Sequence, residues 1–478
     1  MKNNYIFLLL LCGSLLAGSC KKYLNVQPEG SYTETQIYGD ENAVQQAFNG
    51  LYLSLANNNG YGANLTQSTI EMMAQRYKPS QTNANAYDLG VFTNYNYASA
   101  TAQTTFDSIW RQAYSTILAT NVFLSKIDNA VQGKILSQAH GSELKGEALA
   151  IRAMVHFDML RLFGPVYSMD STSPAIPYYT LADGQSQPIL TASAVMAKVM
   201  ADYNQALTLL AADPVITMGV LNTPDFYTGY RNQRLNFYAV KALMARASLW
   251  IGNRQQAHDL ALSVLTDGEK WFPWTSYGSA NDGTNPDRIF SPEVLFAVYN
   301  PALYTNYLNF FSTALPDNVI LVPDPGRLAT VFEVVDISTS SDYRAKPSWK
   351  ISGKSYPTFF KYADLTITTI PRRFLQPIIR KSELYYALAE TDSDPAIALN
   401  YMDTVTRHRG LVSLPAGADI PTEIRKEFQK EFWGEGQLFF YYKRINATGV
   451  LSAAYPYPGF TVDPVYVVPL PLSETTNR

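Results

Sequence analysis

Cysteine is nearly absent: the 478 residues contain two, Cys12 and Cys20. No disulfide framework is available, so the expected stability rests on a buried core, which a chain of this length can build. Histidine is scarce as well. His140, His156, His258 and His408 are the four, and none forms a His-Glu-x-x-His pair. With no cysteine ligands beyond residue 20, nothing in the pattern points to a zinc site, and no cofactor is expected. Charge is low, at 16% of residues, and the net charge is −3. That balance excludes a charge-rich disordered chain and lacks the basic surplus that neutralises nucleic-acid phosphates. The length fits roughly two to four domains or one large one.

Apolar residues make up 47% of the chain, and Tyr (33) outnumbers Phe (23) and Trp (6). Tyrosine pairs an apolar face with a polar tip. Such a surplus suits a contacted, wetted surface, and it equally suits helix–helix seams.

The N-terminus predicts a destination. Lys2 precedes an uncharged run from Tyr5 to Ser19, too short for a bilayer span and suited to a secretory h-region. It ends in Leu16-Ala17-Gly18-Ser19-Cys20, small residues before a cysteine as in a bacterial lipobox. The expectation is a lipoprotein signal at 1–19, lipidation of Cys20, and a tether over 20–30. No second apolar run of spanning length follows, which predicts a tethered remainder held by acyl chains.

Periodicity beyond the tether is helical. Helices are predicted over Trp110–Asp128, Gly141–Phe163 and Leu190–Ala212, the last with Thr191 as N-cap. Asn236–Leu265 reads as a helix pair broken at Gly252-Asn253, with alanines where the backbones cross, in the manner of tetratricopeptide repeats. Arg380–Arg409 reads as a second pair, with Asp394 as N-cap and Pro395 at the first helical position. The stretches 57–100, 271–287 and 301–371 are rich in Asn, Tyr, Gly, Pro or aromatics and are predicted to be long inserted loops, a common place for function. The expected fold is mostly α: a tetratricopeptide-like helical-repeat scaffold over 31–478, a single domain with inserted ligand loops.

Catalytic patterns are missing or incomplete. No Gly-x-Ser-x-Gly elbow occurs. Gly353-Lys354-Ser355 has Ser348 where a phosphate loop needs its first glycine, and Asp392-Ser393-Asp394 lacks the glycine and glutamate of a calcium loop. His156, on a packed helix face, reads as a hydrogen-bonded structural residue. Glu427, Glu431 and Glu435 share a helical face near Arg425, Lys426 and Lys430 and read as solvated ion pairs. A carboxylate pair assembled only by folding is invisible at this level.

In order along the chain, several segments resemble the SusD/RagB family of surface lipoproteins. The chain opens with Cys20-Lys21-Lys22-Tyr23-Leu24, and Trp110-Arg111-Gln112-Ala113-Tyr114 follows. The most specific piece is Gly146-Glu147-Ala148 leading to Arg152-Ala153, His156-Phe157 and Leu160 to Gly164, with Pro165 intruding before Val166. Later come Ser291 to Phe296, Asp342-Tyr343-Arg344, Lys361, Arg380 to Glu390, Arg407-His408-Arg409-Gly410, Glu423 to Glu431, and Val468-Pro469-Leu470-Pro471. Gly434-Glu435 departs from the usual Glu-Gly step.

The resemblance implies a non-catalytic lipoprotein on the outer face of the outer membrane. It implies capture of an oligo- or polysaccharide for a SusC-like TonB-dependent transporter, with the ligand site on inserted loops. Sugars offer apolar C–H faces to flat rings and hydroxyl edges to polar side chains. The expected ligand-binding residues are Arg76, Tyr77, Tyr95, Tyr97, Trp274, Tyr304, Tyr307 and Trp349. Peptide capture within the same family, a tetratricopeptide adaptor and a hydrolase are the competing expectations.

Overall fold

The computed structural model describes residues 38–78, 89–453 and 460–476. The expected leader 1–19, the lipid site Cys20 and the tether 20–30 lie outside these residues.

The architecture is mostly α, and side-chain caps set the helix starts. Asp40 accepts from the Ala43 amide to open α1 (Glu41–Leu55), and Ser99 accepts from Ala102 to open α2 (Ala100–Gln132). α2 begins ten residues before the expected Trp110: Ala102, Phe106 and Ile109 extend its buried face back through a Thr-rich start. α3 (Gln138–Phe163) packs on α2 and is buried on almost every side from Gly141 onward, as befits a central helix. Thr191 caps α4 (Ala192–Leu209), which lies across α3. At the crossing, a Cβ on Gly146 would stand 2.8 Å from Leu210 Cγ and 3.2 Å from the Ala206 carbonyl, so glycine permits the approach.

α3 can be central although it carries charge, because each charge is paired. Arg152 forms a two-pronged pair with Asp202 on α4, both contacts at 2.7 Å. Glu147 pairs with Arg231 at 2.6 Å, and Arg161 pairs with Asp158. His156 is fully buried; its Nδ1 lies 2.9 Å from the Arg152 carbonyl and its Nε2 accepts from the Tyr179 amide at 3.0 Å. Burial pushes its pKa down to about 3, so the ring is neutral and structural, as its place in the pattern suggests.

α5 (Phe237–Trp250) and α6 (Arg254–Gly268) form the first expected pair. Asn236 and Asn253 cap them, and Gly252 takes the left-handed conformation (φ +77°) that stops α5. After the short helix α7 (Leu303–Phe310) come α8 (Lys381–Thr391) and α9 (Pro395–His408), the second pair, with Asp394 accepting from Ala396. α6 packs on α8, which stacks one pair on the other. α10 (Ile420–Glu431) and α11 (Leu438–Arg444) close the scaffold.

Two features lie outside the helical pattern. Val294–Tyr299 pairs antiparallel with Leu375–Arg380, Val294 facing Arg380 and Tyr299 facing Leu375. This buried ribbon draws together the two ends of the 301–371 insertion. The expected ligand loop 57–100 behaves differently from its polar composition. Residues 60–77 are buried, with Asn64, Thr66 and Gln67 bonded to neighbouring backbone and side chains. Glu71 accepts from the Gly434 and Gly436 amides and pairs with Arg76 at 2.7 Å, which ties this segment to the far end of the chain.

Glu427, Glu431 and Glu435 are not solvated. All three are buried in an ionic cluster. Arg409 bridges Glu293 (2.7 Å) and Glu431 (2.6 Å), and Arg344 bridges Asp342 (2.7 Å), Glu427 (2.6 Å) and Glu431 (2.9 Å). Arg380 contacts Glu431 and Glu435, and Lys361 contacts Glu435. Burial alone would raise the Glu431 carboxyl; Arg409, Arg380 and Arg344 outweigh it and hold the group well below the ordinary range. The cluster fastens the insertion, through Asp342, Arg344 and Lys361, to α8, the end of α9 and α10.

Candidate functional site

Side chains that bind a ligand must reach solvent, and burial sorts the eight expected residues on that ground. Arg76 is fully buried, donates to the Gln429 and Phe428 carbonyls and lies 4.4 Å over the Trp433 ring. Tyr77 is fully buried and donates to the Gln67 carbonyl. Tyr95 and Tyr97 are buried and donate to the Met73 and Val465 carbonyls. Trp349 is buried against Phe359 and Trp433, at 4.7 and 4.8 Å between centroids. These five are core residues: the Arg76 guanidinium and the three tyrosine hydroxyls are bonded to backbone carbonyls, and Trp349 is packed among other rings. Trp274 is half-buried but stacked on His408 (4.3 Å, 15° between planes), with Lys381 Nζ 3.9 Å from its centroid, so its faces are also occupied.

Tyr304 and Tyr307 remain, and the structure brings them together. They sit one turn apart on α7, their rings nearly parallel (12°) with centroids 6.0 Å apart. Leu303, Asn306, Tyr307 and Phe310 form the buried face of α7, and Asn306 anchors it by donating to the Asn58 side chain and the Gly62 carbonyl, both at 2.9 Å. Tyr307 is therefore mostly backing, 7% exposed, while Tyr304 is half-exposed beside it. Phe360, also half-exposed, packs against Tyr307 at 6.1 Å.

The second wall comes from the ends of the ribbon. Tyr299, 41% exposed, packs against Phe374 at 5.2 Å, and the Arg373 guanidinium lies 5.0 Å over Phe374. Arg373 forms a two-pronged pair with Asp364 and shares its surroundings with Tyr299 and Tyr304. Half-exposed rings thus flank a planar Arg–Asp pair that offers both donors and acceptors. Tyr299 also borders a cleft of about 560 Å³ lined by Gln45, Asn49, Tyr230, Gln233 and Arg234 among others. That volume lies within the range of small-ligand sites.

Sequence reasoning missed Tyr299, Phe360, Asp364, Arg373 and Phe374. Tyr299 ends a buried strand, and the others lie within or just beyond the insertion without an aromatic–Asn run to mark them. Only the non-local pairing of 294–299 with 375–380 brings them to one place. Among the described residues, no cluster of three or more His, Cys, Asp or Glu is arranged to hold a metal, and no helix is long and apolar enough to cross a membrane.

Comparison with known proteins agrees with this architecture. Residues 22–220 match a SusD-like family model described as "Starch-binding associating with outer membrane". SusD-like protein P25 of Formosa agariphila is 21% identical over 300 residues, 62% of this chain and 50% of that protein, so the match spans half of that relative's length. A SusD superfamily structure from Bacteroides thetaiotaomicron superposes with a TM-score of 0.72 at 20% identity, over 92% of this chain and 98% of that one. A laminarin-binding SusD-like protein superposes with a TM-score of 0.60 at 17% identity, over 91% and 97%. The solved structures share the fold, and the family model over residues 22–220 and the curated relative share part of the sequence pattern, so the chain is similar to SusD-like proteins in both.

Proposed function

We propose that this protein is a glycan-binding lipoprotein of the outer membrane that captures an oligo- or polysaccharide and presents it to a SusC-like transporter without cleaving it. One observation carries the reading: Tyr304, half-exposed on α7 and backed by Tyr307, stands beside the Arg373–Asp364 pair on the insertion. A flat ring takes the apolar face of a sugar, and the paired guanidinium and carboxylate take adjacent hydroxyls. A family model described as starch-binding and a neighbour named for laminarin support a carbohydrate over other ligands. Anchoring through Cys20 and the transporter partner rest on the family resemblance.

A non-catalytic role agrees with the carboxylates. Glu427, Glu431 and Glu435, the set with the spacing of interest, are each neutralised by arginine or lysine in the interior. Glycoside hydrolysis instead needs two carboxyl groups facing the scissile bond.

Calorimetric titration of residues 21–478, which contain every described element, against a panel of polysaccharides and of peptides tests the reading. Saturable heat with one glycan class supports it. Heat with peptides alone would replace it with peptide capture.

A further inference from the structure

The Tyr307 side of the site carries cations, Arg288 and Lys350 above all, that no carboxylate among the described residues pairs with. Arg288 is buried to within 8% exposure and donates to the Pro347 and Ala363 carbonyls. Lys350 is exposed and extends to 5.7 Å from the Phe360 centroid. Arg372 donates to the Asn285 carbonyl at 2.7 Å, and its buried Nε has no hydrogen-bond partner. None of the three has a carboxylate within ion-pair distance among the described residues. Of the nearby acids, Asp364 is held by Arg373; Asp287, buried and accepting from Ser291, and Asp282 feel the charge of Arg372 but not that of Arg288 or Lys350. This contrasts with the buried cluster, where every arginine meets at least one carboxylate, and with a chain whose net charge is −3.

The electrostatics show the same lack. Burial pushes Arg288 down to about 10, with Arg372 adding to the fall and Tyr307 opposing it. Burial and then Arg288 lower Lys350. Among the described residues no carboxylate counters the fall of either group. Holding like charges together without a counter-ion is unfavourable, and an anion placed among them relieves it.

We propose that the glycan taken at Tyr304 is an acidic one, and that a carboxylate or sulfate substituent sits by Arg288 and Lys350 beside Tyr307 and Phe360. This rests on the glycan-binding reading and narrows it to a charge class.

The test titrates polygalacturonate, alginate and κ-carrageenan beside laminarin and fully methyl-esterified pectin, at low and at near-physiological salt. At least one acidic polymer is expected to bind, about tenfold or more weaker at the higher salt because partly exposed charge pairs are screened. Methyl esterification, which removes charge and keeps the backbone, is expected to abolish any binding of polygalacturonate. Comparison of the uronates with carrageenan separates carboxylate from sulfate as the substituent. Lys350→Gln is expected to weaken the acidic ligand about tenfold with an unchanged unfolding midpoint; Arg288→Gln, which disturbs two carbonyl contacts, serves as the second variant. Salt-insensitive binding of laminarin with every acidic polymer silent would overturn the charge inference and leave the glycan reading standing. An acidic ligand unaffected by Lys350→Gln would also overturn the inference. Silence on all polymers would overturn both readings.

Discussion

Replacing Glu431 by glutamine tests the claim that the insertion is fastened by a buried ionic cluster. The change keeps shape and removes one charge. Glu431 is fully buried and contacts Arg344, Arg380 and Arg409. Removing one member of a buried pair costs about 3–5 kcal/mol, because the partner is left desolvated and uncompensated. Each arginine here keeps another carboxylate: Arg344 keeps Asp342 and Glu427, Arg380 keeps Glu435, and Arg409 keeps Glu293. The expected loss for Glu431→Gln is therefore near the lower end, about 3 kcal/mol at neutral pH. The pH dependence follows from the depressed carboxyl. A carboxylate whose folded pKa lies below its unfolded value stabilises fully above the latter, about 4.3, and loses that stabilisation as pH falls through the former. Wild type and variant should then differ at pH 7 and converge in strong acid. Denaturant unfolding followed by tryptophan fluorescence across that range measures the gap. A loss below about 1 kcal/mol at neutral pH, or a gap that does not narrow in acid, would refute the argument.

Three further predictions separate core from site. Trp349→Ala is expected to destabilise by about 3–5 kcal/mol, as for a buried aromatic, and a stable variant with weakened glycan binding would return Trp349 to the ligand site. Gly436→Ala should be strongly destabilising, since φ is +72° and a Cβ would meet the Leu65 carbonyl at 2.0 Å; an unchanged melting temperature would contradict this packing. His156, held near pKa 3 against about 6.5 unfolded, contributes stability that is full above pH 6.5 and lost as pH falls toward 3, so His156→Gln should flatten that acid slope in thermal scans; an identical slope would contradict its neutral buried state.

The scaffold was legible because its signals are local. Thr191 and Asp394 cap the helices that their positions announce, and Gly252 ends α5 in the conformation that glycine favours. Of the candidate site, the sequence singles out only Tyr304 and Tyr307, two tyrosines three residues apart that fall on one short helix. The run around Arg76 and Tyr77 misled because its Asn, Thr and Gln side chains bond inward instead of to water. The spacing of Glu427, Glu431 and Glu435 suits a solvated face just as well; the partners that bury them, Arg344, Arg380 and Arg409, are distant in sequence. Tyr299 and Phe374 meet through strand pairing across the whole insertion, which no local pattern records.

The most direct test of the account is calorimetric binding of the captured polysaccharide to wild type and to Tyr304→Ala, with thermal unfolding recorded on both. Tyr304 is half-exposed, and stacking on an aromatic ring is lost with it. The account predicts at least about a tenfold loss of affinity, some 1.4 kcal/mol, with a melting temperature close to that of wild type. Unchanged affinity in the variant would contradict it and place the glycan site elsewhere on the molecule.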